Sequence, residues 1–176
     1  MSSPIPTPQS PIPNLFLVGF MASGKTTVGR TLAERLGVPF VDLDEEIVTA
    51  AGSTIAEMIA QHGEAAFRQL ETECLRRASL RKPVVIALGG GAFTQAVNCE
   101  LIAQAGVAVW LDAPFALCWE RIQRDAVVRP LAATEEEASA RFEQRIPIYE
   151  QANIRIKVHA EDSSEAMAER ILSEFS

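Results

Sequence analysis

Residues 15–37 read LFLVGFMASGKTTVGRTLAERLG, and the order of their parts decides the fold. The apolar run LFLVG (15–19) has the character of a strand buried on both faces. A run of small residues follows, and then a helical pattern that continues through about Leu36. Between the two, Gly19 to Thr26 fits the spacing G-x-x-x-x-G-K-[ST] in the strand–turn–helix setting that this motif requires. Glycines let the backbone amides turn inward as a nest for phosphate oxygens, and the helix N-terminus adds partial positive charge. Lys25 is then placed for the β- and γ-phosphates of a nucleotide, and the Thr26 hydroxyl for a magnesium ion.

Outward from this stretch, short apolar runs alternate with longer helical segments. PFVDLD (39–44), VVIALGGG (84–91), VAVWLD (107–112) and IRIKVHA (154–160) read as strands. Helices are expected over 54–78 with a break near Gly63, over 94–106, over 114–124 with Pro114 in the first turn, over 134–152 and over 163–175. This alternation predicts an α/β fold with a parallel sheet covered on both faces, and ligands at the carboxyl ends of its strands. The prolines and serines of MSSPIPTPQSPIPN predict a flexible tail over 1–13, and a single domain is expected over 14–176.

Composition narrows the function. The chain has 176 residues and a net charge of −7, so non-specific nucleic-acid or membrane-surface binding is not expected. Cys74, Cys99 and Cys118 lack metal spacing and read as free thiols of a reducing, cytoplasmic compartment. No apolar run reaches membrane-spanning length. The only asparagines are Asn14, Asn98 and Asn153, and none lies in an N-K-x-D guanine-reading motif. Small-molecule kinases are the leading class.

Several residues qualify for the acceptor side. Asp42 and Asp44 stand two apart at a strand end. They are expected to point to opposite sides, one toward magnesium and one toward a substrate hydroxyl; a solvated acidic helix start is the alternative. Arg68 shares a helix face with Glu64 and Glu71, which fits either an ion-pair ladder or an anion grip. Gly89, Gly90 and Gly91 after a buried strand suit a ligand lying against bare backbone. Arg121, Arg124, Arg129, Arg141 and Arg145 flank a small, polar stretch, predicting a lid over about 122–140 that closes on the transferred group.

Together, GFMASGKTTVGRTLAERLG, FVDLDEEI, GSTIAEMIAQHGEAAFRQLE, LGGGAF, RPL and RIPIYE resemble the shikimate kinase family in order and spacing over roughly residues 14–158. The resemblance implies a P-loop, three-layer α/β/α fold with a five-stranded parallel sheet, like that of the nucleoside-monophosphate kinases. It implies Mg2+-dependent transfer from ATP to the 3-hydroxyl of shikimate by a monomeric enzyme. ATP would be held by Ala22, Ser23, Gly24, Lys25, Thr26 and Thr27, with Arg124 on the adenine and Arg129 bridging the phosphates. Thr26 and Asp42 would hold magnesium, the latter through water. Asp44 would bind the ring hydroxyls, Arg68 and Arg145 the carboxylate, and Gly89–Gly91 the ring. Lys25, Asp44 and Arg129 would be the catalytic set. A gluconate kinase and a non-catalytic nucleotide- or metabolite-binding module are the alternatives.

Overall fold

The structure, a computed structural model, describes residues 12–124 and 134–175. Among these are five strands: β1 (Asn14–Val18), β2 (Phe40–Asp42), β3 (Val85–Ala87), β4 (Gly106–Asp112) and β5 (Ile154–Lys157). All pair in parallel in the order β2-β3-β1-β4-β5. Every residue of β1 and β3 is buried, as expected where helices cover both faces. The helices are α1 (Lys25–Leu36), α2 (Leu43–Ala51), α3 (Ile55–Ser79), α4 (Ala96–Ala105), α5 (Phe115–Arg124), α6 (Glu135–Tyr149) and α7 (Ser164–Ser173). β1 lies at the centre, and the chain builds outward to β3 and β2 on one side and to β4 and β5 on the other. The loop after β1 therefore opens at the point where the strand order reverses, the usual place for a ligand in such a sheet.

Local chemistry sets the element ends. β2 stops at Asp42 because its carboxylate turns to cap α2, accepting from the amides of Asp44 (3.0 Å) and Glu45 (3.4 Å). The strand expected over 39–44 is thus shorter, and Asp44 belongs to a helix. Thr54 and Glu57 form a reciprocal capping box at the start of α3. Gly63 breaks that helix at φ 84°, ψ 165°, a conformation that L side chains rarely adopt, so the break expected there is present. β3 ends at Ala87, before the three glycines expected to continue it. A 3-10 turn (Ala92–Thr94) precedes α4, where one helix over 94–106 was expected. Trp110 and Tyr149 are among the largest fully buried side chains, and their rings meet at 6.1 Å between α6 and the sheet. No helix among the described residues is long and apolar enough to cross a membrane.

Candidate active site

A cleft of about 1080 Å³ opens at the carboxyl ends of the strands, with the phosphate loop at one end and the glycine turn after β3 at the other. At the loop, Lys25 folds back so that its Nζ donates to the carbonyls of Gly19 (2.9 Å) and Phe20 (2.8 Å). Gly24 takes φ 102° just before α1 begins. Ala22 is the one described non-glycine residue with positive φ, 58°, a conformation costing an alanine about 1 kcal/mol. Its carbonyl accepts from Arg121 Nη1 at 3.1 Å, so α5 braces the strained residue. Thr26 Oγ1 donates to Asp42 Oδ2 at 2.7 Å, joining the first turn of α1 to the end of β2.

At the other end, the need for three bare residues is geometric. A Cβ on Gly89 would lie 2.6 Å from Asp44 Oδ1. One on Gly90 would lie 3.0 Å from Arg145 Nη1, and one on Gly91 2.8 Å from Arg68 Nη2 and 3.2 Å from Arg145 Nη2. Asp44, Arg68 and Arg145 come from three different helices, yet all three close on this one turn. The expectation that Asp42 and Asp44 point to opposite sides is corrected: residues two apart on a strand share a face, and here, with Asp42 ending β2 and Asp44 in α2, both line the same cleft.

The two arginines have different partners. Arg68 Nη1 donates to Glu71 Oε1 at 2.9 Å and Nη2 to Glu64 Oε1 at 3.4 Å. Glu71 is 1% exposed, and burial pushes its carboxyl above the ordinary value while Arg68 opposes the rise. Arg145 is buried beside the Phe20 ring, and burial draws its guanidinium below the ordinary arginine value. The Tyr149 hydroxyl, one turn on, opposes that shift.

Glu71 and Tyr149 were not singled out as site residues from the sequence, although signals existed. Glu71 interrupts the buried stripe Phe67, Cys74, Leu75, Ala78 of α3, and a carboxylate on an apolar stripe needs a cationic partner. Tyr149 stands four residues after Arg145, one helical turn away on the same face. Arg124, expected on adenine, lies off the cleft wall: it is exposed and paired with Glu120 one turn back. Arg121, one turn earlier, reaches the cleft instead. Arg129 and residues 125–133 of the expected lid lie outside the described residues, as does nearly all of the expected tail; residues 122–124 and 135–140 belong to α5 and α6.

A family model described as Shikimate kinase matches residues 21–176. Shikimate kinase from Ruegeria pomeroyi is 41% identical over 160 residues, which cover 89% of this chain and 82% of that protein. The chain belongs to the shikimate kinase family. Shikimate kinase from Synechococcus sp. (strain CC9605) is 43% identical over 162 residues, covering 90% of this chain and 80% of that protein. Among solved structures, shikimate kinase from Acinetobacter baumannii in complex with shikimate superposes with a TM-score of 0.88 at 40% identity, with 93% of each chain covered. The three-layer P-loop architecture expected from the sequence is therefore the family's own. A gluconokinase from Sinorhizobium meliloti reaches a TM-score of 0.56 at 18% identity over 93% of this chain and 95% of that one, a likeness of fold alone. Kinase chemistry follows from family membership.

Proposed function

We propose that the chain transfers the γ-phosphoryl group of ATP to the 3-hydroxyl of shikimate, giving shikimate 3-phosphate and ADP on the route to chorismate and the aromatic amino acids. The observation that carries this reading is the closure of Asp44, Arg68 and Arg145 on one bare glycine turn, facing Lys25 across a single cleft. Shikimate is a ring with three hydroxyls and one carboxylate. Paired guanidinium groups suit the carboxylate, bare backbone suits the ring, and a carboxylate suits the hydroxyl that attacks.

In the reaction, the 3-hydroxyl oxygen bonds to the γ-phosphorus as the bond to the β–γ bridging oxygen breaks, and ADP leaves. Asp44 orients the hydroxyl and is placed to take its proton. The amides of Ala22–Thr27 and the Lys25 ammonium hold the phosphates, and Arg129 would add charge at the transferring group. Phosphoryl transfer asks the protein mainly for positioning and charge neutralisation, which these groups supply.

The Thr26 hydroxyl and the Asp42 carboxylate, 2.7 Å apart beside the loop, form a hard-oxygen pair that fits magnesium, an ion that takes few protein ligands beside phosphate and water. Thr26 would hold it directly and Asp42 through water. Once bound, the ion supplies neutralising charge to the phosphate oxygens. A cytoplasmic monomer suits a consumer of ATP whose described cysteines are free and whose exposed large apolar residues are scattered singly.

Coupled ADP release with shikimate, gluconate and nucleoside monophosphates tests the reading. Turnover is expected on shikimate and at background level on the others. No turnover on shikimate overturns it, and shikimate binding without transfer points to a non-catalytic module.

A further inference from the structure

One buried hydroxyl in the acceptor end has two functional partners and no part in the chemistry above. Tyr149 is 1% exposed at the last turn of α6. Its Oη donates to the carbonyl of Gly90 at 2.5 Å. The Arg145 guanidinium, four residues earlier on the helix, acts on the same hydroxyl, and its Nη1 sits against Gly90, 3.0 Å from where a Cβ would stand. A phenol has one proton to give and lone pairs to accept with, so the bond to Gly90 leaves its oxygen able to face the guanidinium. The ring is wedged on Trp110, and the Arg145 guanidinium lies 5.9 Å over Phe20. The hydroxyl therefore has little freedom to move.

We propose that Tyr149 is a positioning residue for acceptor selection: its single hydroxyl ties the glycine turn to Arg145, so that the guanidinium meets the carboxylate of a ring lying on that turn. The inference rests on the reading of Arg145 as a carboxylate grip. The chemistry of the partner matters. Arg68 shares its charge with two carboxylates, Glu71 and Glu64. Arg145 is oriented by a neutral group, and burial raises the Tyr149 phenol to about 12, so it stays neutral. A neutral acceptor fixes direction without cancelling charge, leaving the Arg145 cation for an incoming anion. Gly90 has a matching constraint, since a Cβ there would lie 3.0 Å from Arg145 Nη1. Turn and guanidinium are thus in contact, and the hydroxyl holds them in register.

Tyr149→Phe keeps the ring and removes the hydroxyl from both Gly90 and Arg145. KM for shikimate is expected to rise about tenfold, the loss of one hydrogen bond to a charged group. KM for ATP should stay within twofold, and the melting temperature should move little. The decisive readout is selectivity between shikimate and its neutral carboxamide. Tyr149→Phe should lower the preference for the acid by about the same factor, whereas a merely looser core would weaken acid and amide alike. An unchanged acid-to-amide preference overturns the proposal, whatever happens to KM or melting. A second measurement uses the Arg145→Ala background, in which Tyr149→Phe should add less than twofold to the shikimate KM. A full additional effect there also overturns it. Arg145→Ala by itself separates the two readings: if that variant leaves the shikimate KM unchanged, the carboxylate assignment fails first.

Discussion

The phosphate end of the cleft comes from the continuous stretch Gly19–Thr27, whereas the acceptor end is assembled from α2, α3, the turn after β3 and α6. At the first, shape is a property of the local backbone: a turn, a helix start and a lysine folded over two carbonyls of its own loop. At the second, no segment has a shape of its own that makes a site. Asp44, Arg68 and Arg145 meet only because the core holds their helices around Gly89–Gly91. Function at the phosphate end should therefore separate cleanly from stability, while at the acceptor end the two should be entangled.

Lys25→Ala tests the first half most severely. Removing the cation at the transferring phosphates should lower kcat at least a thousandfold, a loss of about 4 kcal/mol of transition-state stabilisation. At the acceptor end, Asp44→Asn should lower kcat about a hundredfold, the usual scale for a positioned acid–base group. Thermal melting of Lys25→Ala should stay within about 3 °C of the parent. If Lys25→Ala melts far lower, the loop depends on the lysine for its shape and the contrast between the two ends breaks.

Arg68→Ala tests the second half. The shikimate KM should rise about a hundredfold, as two charge-assisted bonds to the carboxylate are lost. Glu71 is then left buried without its partner, so stability at neutral pH should fall by about 3 kcal/mol. The pH dependence has a definite sign. Burial raises the folded-state pKa of Glu71 above its ordinary 4.5, and Arg68 opposes that rise. Stability from a raised carboxyl is present below the unfolded value and lost as pH climbs through the folded one. Without Arg68 the folded value climbs further, so melting of Arg68→Ala should fall steeply from about pH 4.5 upward. Adding Glu71→Gln should flatten that slope and recover melting without recovering the shikimate KM. Recovery of both would mean that Arg68 serves the core alone.

The same contrast explains what could be read from residues alone. Gly19–Thr26 announced strand, loop, helix and ligand class together, because the motif encodes a local geometry. The fold class followed from the alternation of buried runs and helical segments. Asp42 was legible as a candidate residue, but its capping role was not: its carboxylate caps α2 and ends the strand before Asp44. Arg68 and Arg145 could be paired only through the family resemblance, since they stand on helices that spacing cannot bring together. The spacing placed Glu71 beside Arg68 but not its burial, and Tyr149 stayed hidden because its bond runs to Gly90, 59 residues away in the chain. Arg121 and Arg124 show a further limit of spacing: both lie on α5, but of the two only Arg121 lines the described cleft, while Arg124 pairs with Glu120.

Asp42 sharpens the comparison, because it caps α2 and is also the residue proposed to serve the metal. Asp42→Ala should lower stability by about 1 kcal/mol through loss of the cap on α2. Asp42→Asn keeps a capping oxygen and should melt like the parent. Both should raise the Mg2+ concentration needed for half-maximal rate several-fold, measured by titration at saturating ATP and shikimate. A variant that melts normally and titrates normally would remove Asp42 from the metal site.

The smallest effect concerns the one place where the phosphate end is not wholly local. Arg121 reaches from α5 to the carbonyl of Ala22, the residue held at positive φ, and it also lines the cleft. Arg124 has neither contact, and its exposed pair with Glu120 is of a kind that contributes under 1 kcal/mol. Arg121→Ala should raise the ATP KM about three- to tenfold and leave the shikimate KM unchanged, because it removes both a cation near the nucleotide and the brace on the loop. Arg124→Ala should alter neither by more than twofold. Ala22→Gly in the Arg121→Ala background separates the two contributions: glycine relieves the strained φ, so any part of the defect due to a loosened loop should shrink, and the part due to lost contact with ATP should persist. The reverse outcome, with Arg124→Ala weakening ATP and Arg121→Ala silent, would mean that the nucleotide's far side is built from the chain beyond α5, and the phosphate end would then depend on distant segments as fully as the acceptor end does.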